Sequence, residues 1–261
     1  MTARRALAEA ERRLAAAGVD TPRVDAEWLV AHLLGTTRSG LAARLDDEVR
    51  GLEPLLIRRE EREPLAYVLG EWGFRRLTLK TDARALVPRP ETETLVERAL
   101  ALVYGTEGPR ILDVGVGSGA IALALKDERP DARVTGIDVS ADALALAREN
   151  AERLPLAVEL REGDGAAAAA EGWDAVVANP PYVEDPAELL PELRFEPEIA
   201  LVGRGEHERL ARAANARFVV LETGDGQATE VAEMFERLGY VEVVITADLT
   251  GRDRVVEGRR P

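Results

Sequence analysis

The sequence contains no cysteine and only two histidines, His32 and His207. Disulfides, thiolate nucleophiles and cysteine-based zinc clusters are therefore excluded, and any metal would have to be held by carboxylates alone; no metal site is expected. No apolar run approaches the roughly 18 residues of a membrane span. The start, Met1-Thr2-Ala3-Arg4-Arg5, leads into an Arg/Glu-rich pattern without a signal-peptide core. A cytoplasmic protein with no membrane partner is the expectation.

What is present is a chain of 261 residues, 46% hydrophobic, enough to bury a full core in one large domain or two smaller ones. The net charge of -14 is unevenly spread: residues 1 to 80 carry 14 basic and 13 acidic side chains, and the remainder 20 basic against 35 acidic. Such a surface repels a phosphate backbone, so no direct nucleic-acid partner is expected and a basic protein partner fits better. A monomer is expected.

From Thr2 to about Gly70, apolar residues recur at three- and four-residue spacing, broken at Gly18, Gly35 and Gly51, which predicts a small bundle of helices. Asp20-Thr21-Pro22 reads as a cap and an early proline opening the second helix. Trp28, Leu29, Leu33 and Leu34 are its expected buried stripe, and His32 within it is read as structural. The period falls to two around Phe74 to Leu79, predicting a strand or hairpin. Val87-Pro88-Arg89-Pro90-Glu91-Thr92-Glu93 is then an extended, proline-bracketed entry to a helix running to about Tyr104.

Beyond Arg110, short apolar runs alternate with helical patterns, as a parallel sheet flanked by helices requires. Strands are predicted near 110 to 114, 133 to 138, 157 to 161, 174 to 178 and 217 to 222. Tyr240 to Ile245 and Arg254 to Glu257 are separated only by Ala247 to Asp253, too little for a helical crossover, so they should pair antiparallel. Seven strands closing on an antiparallel pair describe the methyltransferase variant of the doubly wound fold. Ala166 to Ala170 reads as a helical turn or tolerant loop.

Asp113-Val114-Gly115-Val116-Gly117-Ser118-Gly119 is a strand running into a glycine-rich turn, with Asp138 closing the next strand. The glycines allow a tight bend and close approach of backbone to a nucleoside, while Asp138 can accept from both ribose hydroxyls. A dinucleotide enzyme passes the same test. Asp113 favours S-adenosylmethionine, because an acid there suits a cationic methionine amine and repels a pyrophosphate. After the third strand, Asp164 could accept from the adenine amine while Gly165 leaves room for the ring; an ordinary solvated acidic turn is the alternative. The cofactor-binding set is thus Asp113, Gly115, Val116, Gly117, Ser118, Gly119, Asp138, Asp164, Gly165 and Asn179, with S-adenosylhomocysteine as product.

Asn179-Pro180-Pro181-Tyr182 leaves the strand that begins at Asp174, on the same edge as the glycine loop. An amide or arylamine nitrogen is a poor nucleophile because its lone pair is delocalised. The Asn179 side-chain carbonyl and the Pro180 main-chain carbonyl can each accept one N–H of a planar NH2, stabilising the charge that grows on it. Pro180 and Pro181 pre-position these acceptors and Tyr182 can lie against the flat group. These four are the expected catalytic residues.

The chain resembles the HemK-type peptide chain release factor glutamine N5-methyltransferase family. The resemblance rests on Pro64 to Glu71 with Phe74, Leu77 and Leu79, on Val87 to Glu93, the Gly115 to Gly119 loop, Asp138, Asn179 to Tyr182, and Arg194-Phe195-Glu196-Pro197, in that order across most of residues 60 to 202. It implies a seven-stranded class I methyltransferase (Rossmann-like) α/β domain at 91-261, preceded by a small all-α helical substrate-binding domain at 1-70 and a β-hairpin linker at 71-90. It further implies that Asn179 and Pro180 hold the glutamine of the Gly-Gly-Gln loop of class-one release factors. The chain departs from the pattern after Val202, where only Gly203 to Ala216 precede the fifth strand; a helix from Glu206 to Asn215 containing a solvated His207 is expected to suffice. Rival readings are glutamine methylation of a ribosomal protein, an adenine-N6 or guanine-N2 nucleic-acid methyltransferase, and a non-catalytic protein retaining the cofactor fold.

Overall fold

The computed structural model describes residues 1–183 and 190–261 and divides into two units, Met1–Glu71 with residues 190–195, and the rest. In the first unit, α1 (Ala3–Ala16), α2 (Pro22–Leu33) and α4 (Leu65–Leu69) end where the sequence places glycine, and α3 (Leu52–Glu60) begins after Gly51. α1 buries Ala3, Ala6, Leu7, Ala10 and Leu14, the one-face spacing of an amphipathic helix. A buried ion network joins these helices to residues 190–195. Arg59 donates to Asp25 Oδ2 at 2.7 Å and to Glu192 Oε1 at 3.0 Å, and Arg62 grips both oxygens of Glu192 at 2.6 and 2.9 Å.

Three local expectations fail here. The Thr21 side chain makes no capping bond; its hydroxyl donates instead to Asp25 Oδ1 at 2.8 Å, completing the acceptor set of a buried carboxylate. Trp28 lies on the outer face of α2 beneath the Arg38 guanidinium, and His32 is exposed. The buried stripe is Asp25, Ala26, Leu29 and Val30, because the paired Asp25 can occupy a place that an apolar count reserves for tryptophan.

The second unit begins with a hairpin, β1 (Glu71–Phe74) and β2 (Leu77–Lys80), followed by α5 (Thr92–Leu102). Next come β3 (Arg110–Val114), α6 (Ala120–Glu128), β4 (Arg133–Asp138), α7 (Ala141–Arg153), β5 (Glu159–Glu162), α8 (Gly165–Ala169) and β6 (Trp173–Ala178). The remaining elements are α9 (Glu198–Leu201), α10 (Glu206–Ala213), β7 (Ala216–Glu222), α11 (Ala228–Arg237), β8 (Val241–Ala247) and β9 (Asp253–Arg259). Strands β3 to β9 form one sheet ordered β5-β4-β3-β6-β7-β9-β8, parallel as far as β7, with β9 antiparallel to both neighbours.

Alternate residues of the central strands feed opposite layers, as pleating requires. Ile111, Val134, Ala175 and Val177 pack with α5, α6 and α7, while Leu112, Val176, Ala178 and Val219 pack with α8, α10 and α11. The shortened connection before β7 is bridged by eight-residue α10, which buries Leu210 and Ala211, and Tyr240 Oη donates to the Ala211 carbonyl at 2.7 Å. Among the described residues no helix is long and apolar enough to cross a membrane.

Asp113, next to last in β3, is fully buried; its Oδ2 accepts from Ala122 N at 2.9 Å and its Oδ1 has no partner. Burial, reinforced by the Asp138 charge, pushes this carboxyl up to about 7. The unfolded carboxyl ionises near pH ~4. Between those values the native chain holds the extra proton, so this group's contribution to stability falls as pH rises through that window and the loss is complete above it. Asp113→Asn keeps an acceptor for Ala122 N and removes the titration; its melting temperature relative to wild type should be higher at pH 8 than at pH 5. Equal differences at the two pH values would show that Asp113 is not protonated near neutrality.

Gly136 lies at the middle of β4, where an added Cβ would come within 2.5 Å of Val116 Cγ2 and 3.0 Å of Val116 Cβ. Valine is stiff at χ1 and this one belongs to a bent loop. Gly136→Ala should therefore cost about 1–3 kcal/mol by overpacking, a loss of about 2–4 °C per kcal/mol in thermal unfolding. A melting curve unchanged from wild type would refute the close-packing argument.

Candidate active site

The register of the parallel strands aligns the chemical residues before any side chain is considered. Val114 pairs with Ile137 on one side and Ala178 on the other, and Ala178 pairs with Leu221. The residues that follow are Gly115, Asp138, Asn179 and Glu222, so all four stand in one row at the carboxyl edge of the sheet. This is also where the strand order reverses, between β3 and β6, the usual ligand crevice of such folds.

Gly115, Gly117 and Gly119 have φ of 74°, 54° and 88°, left-handed values costly for a residue with Cβ. The bend is pinned by two bonds to one acceptor, from Gly115 N and Val116 N to Ile137 O at 2.9 and 3.0 Å. Asp138 holds it from the other strand: Oδ2 accepts from Gly117 N and Oδ1 from Ser140 N, both at 2.9 Å. A carboxylate offers about four lone-pair sites, so two remain for hydroxyl donors.

In front of this edge lies a cavity of ≈ 350 Å³. Gly115, Val116, Gly117, Asp138, Gly165, Asn179, Pro180 and Pro181 all line it, as do Val87 and Ile199. A Cβ built on Gly115 meets nothing within 4 Å, so bare backbone is what leaves that space open. Volume, bare glycine turn and the spare acceptors of Asp138 suit the nucleoside of S-adenosylmethionine, within the roughly 300–1,000 Å³ of small-molecule sites.

Other expected binding residues stand outside the wall. Asp113 is behind the loop, its carboxyl turned to α6, so it can bias a bound cation only through the loop. Ser118 is buried and its carbonyl accepts from Asn150 Nδ2 at 2.9 Å. Gly119 is the N-cap of α6, and a Cβ there would come within 2.9 Å of Leu123. Asp164 caps α8, accepting from Ala167 N at 2.8 Å, and pairs with Arg209 at 2.7 Å, which holds its carboxyl below the usual range. The small residue at 165 is required by Val114, whose Cγ1 would be 2.2 Å from an added Cβ.

Asn179 is half-buried, and its Nδ2 donates to Thr92 Oγ1 at 3.4 Å. Gly203 presses on Pro181, where a Cβ would meet Pro181 O at 2.7 Å, and the adjoining backbone is tied by Val183 N to Leu201 O at 2.9 Å. Tyr182 lies against Gly224, and its carbonyl accepts from Gln227 Nε2 at 3.3 Å while Gln227 Oε1 accepts from Gly224 N. Burial, then the Glu222 charge, raises the Tyr182 phenol.

Several participants were given no site role from sequence. Glu196, its side chain fully buried, pairs with Arg89 at 2.5 Å and accepts from Val87 N at 3.0 Å, locking the Val87 to Glu93 stretch as a cavity wall. Burial raises its carboxyl. His207 is not freely solvated as expected: it is half-buried, a ring nitrogen lies 2.8 Å from Glu222 O, and desolvation lowers its pKa. Glu222 and Gln227 carry no motif, and Thr92 lies within the Val87 to Glu93 segment without a role of its own. A charged residue closing the apolar run Phe218 to Leu221 was the available signal for Glu222.

Comparison with known proteins is in keeping with this geometry. The family model of the PrmC N-terminal domain matches residues 5–70 and that of the methyltransferase small domain matches residues 92–196. A release factor glutamine methyltransferase of Deinococcus radiodurans is 40% identical over 100% of this chain and 99% of its own. Another, of Rhodospirillum rubrum, is 42% identical over 95% of this chain and 82% of its own. The fold is shared with a 16S rRNA N2 methyltransferase of T. Thermophilus solved with AdoMet and guanosine, at TM-score 0.52 and 18% identity over 73% of this chain and 50% of that one. Identity of 40% over the whole chain means that the chain belongs to the release factor glutamine methyltransferase family.

Proposed function

We propose that this protein transfers a methyl group from S-adenosylmethionine to the side-chain amide nitrogen, N5, of the glutamine in the Gly-Gly-Gln loop of class-one release factors. The observation that carries the reading is the row Asp138, Gly115, Asn179: strand register sets the planar-amide acceptors beside the nucleoside cradle. The acidic surface supports a protein rather than a nucleic-acid substrate. The enzyme works as a cytoplasmic monomer.

Asp138 takes the ribose hydroxyls while the glycine turn lets the backbone approach the nucleoside. S-adenosylmethionine, when bound, supplies a methyl group on a cationic sulfur that leaves as a neutral thioether. Asn179 Oδ1 and the Pro180 carbonyl each accept one N–H of the glutamine amide, turning its nitrogen lone pair toward that methyl group. As the nitrogen becomes positive its N–H groups become stronger donors, so both acceptors bind the transition state more tightly than the ground state. The proton then passes to water, and no strong base is required. The proline pair holds both acceptors in place, so alignment is built in before substrate arrives.

With labelled S-adenosylmethionine, the purified protein should methylate a class-one release factor on that glutamine. Asn179→Ala should lower turnover by about 10²–10³-fold or more with cofactor affinity largely retained. Label in RNA, DNA or a ribosomal protein, with the release factor untouched, would overturn the substrate assignment. Asp138→Ala should weaken cofactor binding by about 1.5–3 kcal/mol, read as a raised Kd by calorimetry; an unaltered Kd would remove Asp138 from the cofactor site.

A further inference from the structure

Two prolines leave the catalytic segment with a gap in its backbone support. Ala178, the last residue of β6, is held in the sheet between Val114 and Leu221. Pro180 and Pro181 have no N–H, so neither can donate a main-chain hydrogen bond that would fix its place. Further on, Val183 N donates to Leu201 O at 2.9 Å and Val183 O accepts from Gly203 N at 3.2 Å. Proline fixes φ and leaves ψ free, so the direction of the Pro180 carbonyl depends on how the chain beyond it is anchored.

Gln227, from the turn ahead of α11, reaches into this stretch. Its Nε2 donates to the Tyr182 carbonyl at 3.3 Å, and its Oε1 accepts from Gly224 N at 3.0 Å. The base of the side chain is itself held, since Gln227 N donates to Gly224 O and Val231 N donates to Gln227 O, each at 3.1 Å. Gly224 completes a three-way contact: a Cβ there would lie 2.8 Å from Gln227 Oε1 and 2.9 Å from Tyr182 Cδ2.

We propose that Gln227 is a positioning residue for methyl transfer, a strut between Gly224 and the Tyr182 carbonyl that sets the direction of the Pro180 carbonyl and the place of the Tyr182 ring. The inference rests on the reading that the Pro180 carbonyl accepts from the substrate amide. A main-chain N–H only donates and a main-chain carbonyl only accepts, so the two partners admit one orientation of the Gln227 amide, Oε1 toward Gly224 and Nε2 toward Tyr182. Glutamine offers both functions at the end of one side chain. Glutamate, nearly identical in shape, would set a second acceptor against the Tyr182 carbonyl. Methionine would fill the space and make neither bond.

With the strut in place, the segment is tied before the prolines by sheet register and after them by Gln227, Leu201 and Gly203. A carbonyl held from both ends needs no reorientation as the amide nitrogen becomes positive. Without the strut, the Pro180 carbonyl and the Tyr182 ring gain room to swing. The glycine turn and Asp138 rest on β3 and β4 and are not disturbed, so the defect falls on turnover and spares the cofactor.

The test measures kcat, KM for a class-one release factor, and calorimetric S-adenosylmethionine affinity for wild type, Gln227→Met, Gln227→Glu and Gly224→Ala, each well below its melting temperature. Gln227→Met should lower kcat by about 10–100-fold, with KM and cofactor affinity little changed. Gln227→Glu should be at least as impaired as the methionine variant, although it matches the glutamine shape more closely. Gly224→Ala, which wedges a methyl group between Gln227 and the ring, should also lower kcat, and it decides the matter if Gln227→Met does not fold. Wild-type kcat in Gln227→Met or Gly224→Ala, wild-type kcat in Gln227→Glu, or a loss confined to cofactor affinity would each overturn the inference while leaving the proposed function intact. A wild-type protein that labels no release factor would sink the function and this inference with it.

Discussion

Parallel pairing of β3 with β4 and β6, and of β6 with β7, is the constraint from which the site follows. In a parallel sheet all carboxyl ends lie on one edge, and a one-residue slip would move every side chain of a strand to the other face. Here register is held by full burial on both faces, with Ile111 and Leu112 serving opposite layers. Once Val114, Ile137, Ala178 and Leu221 are aligned, the residues after them have little choice of neighbour. Asp138 then bonds Gly117 N across the edge, and Thr92, entering from α5, reaches Asn179.

Around that edge the protein buries carboxyls that an apolar core would omit. Asp113, Glu196 and Glu222 are each pushed up by desolvation. Such groups oppose stability at neutral pH, and they are placed where a low-dielectric, water-poor wall strengthens every hydrogen bond made to substrate. Glu196 uses its charge to hold Arg89 and the Val87 backbone. Asp113 braces the start of α6 behind the glycine loop. The first unit follows the same practice with Asp25 and Arg59, whose mutual pairing makes their burial tolerable.

Most elements could be read from periodicity, because a strand buried on both faces and an amphipathic helix are local patterns. The strand from Arg133 to Asp138 has the expected bounds, and the antiparallel final pair follows from the shortness of the loop before Asp253. The glycine loop, Asp138 and Asn179 were legible for a related reason: each ends a strand, so a parallel fold brings them to one edge. Asp164 was left open between a cofactor role and an ordinary acidic turn because an acid after a strand can serve a ligand or cap the next helix, and its cap and its bond to Arg209 are set by partners that periodicity does not specify. Trp28 was misplaced because apolar spacing cannot anticipate that a paired aspartate takes the inner face.

By itself, then, the sequence determined the doubly wound α/β plan, the helical front unit and the identity of the residues at the strand ends, since those depend on side-chain period and glycine geometry over a few positions. Only the tertiary structure decided which of those residues face the cavity, why Gly136, Gly165 and Gly203 must lack Cβ, and that Thr92, Glu222 and Gln227 stand behind Asn179 and Tyr182. Those relations join positions far apart in the chain, as Thr92 and Asn179 are at a separation of 87 residues, and are fixed by packing and by the need of buried polar atoms for partners.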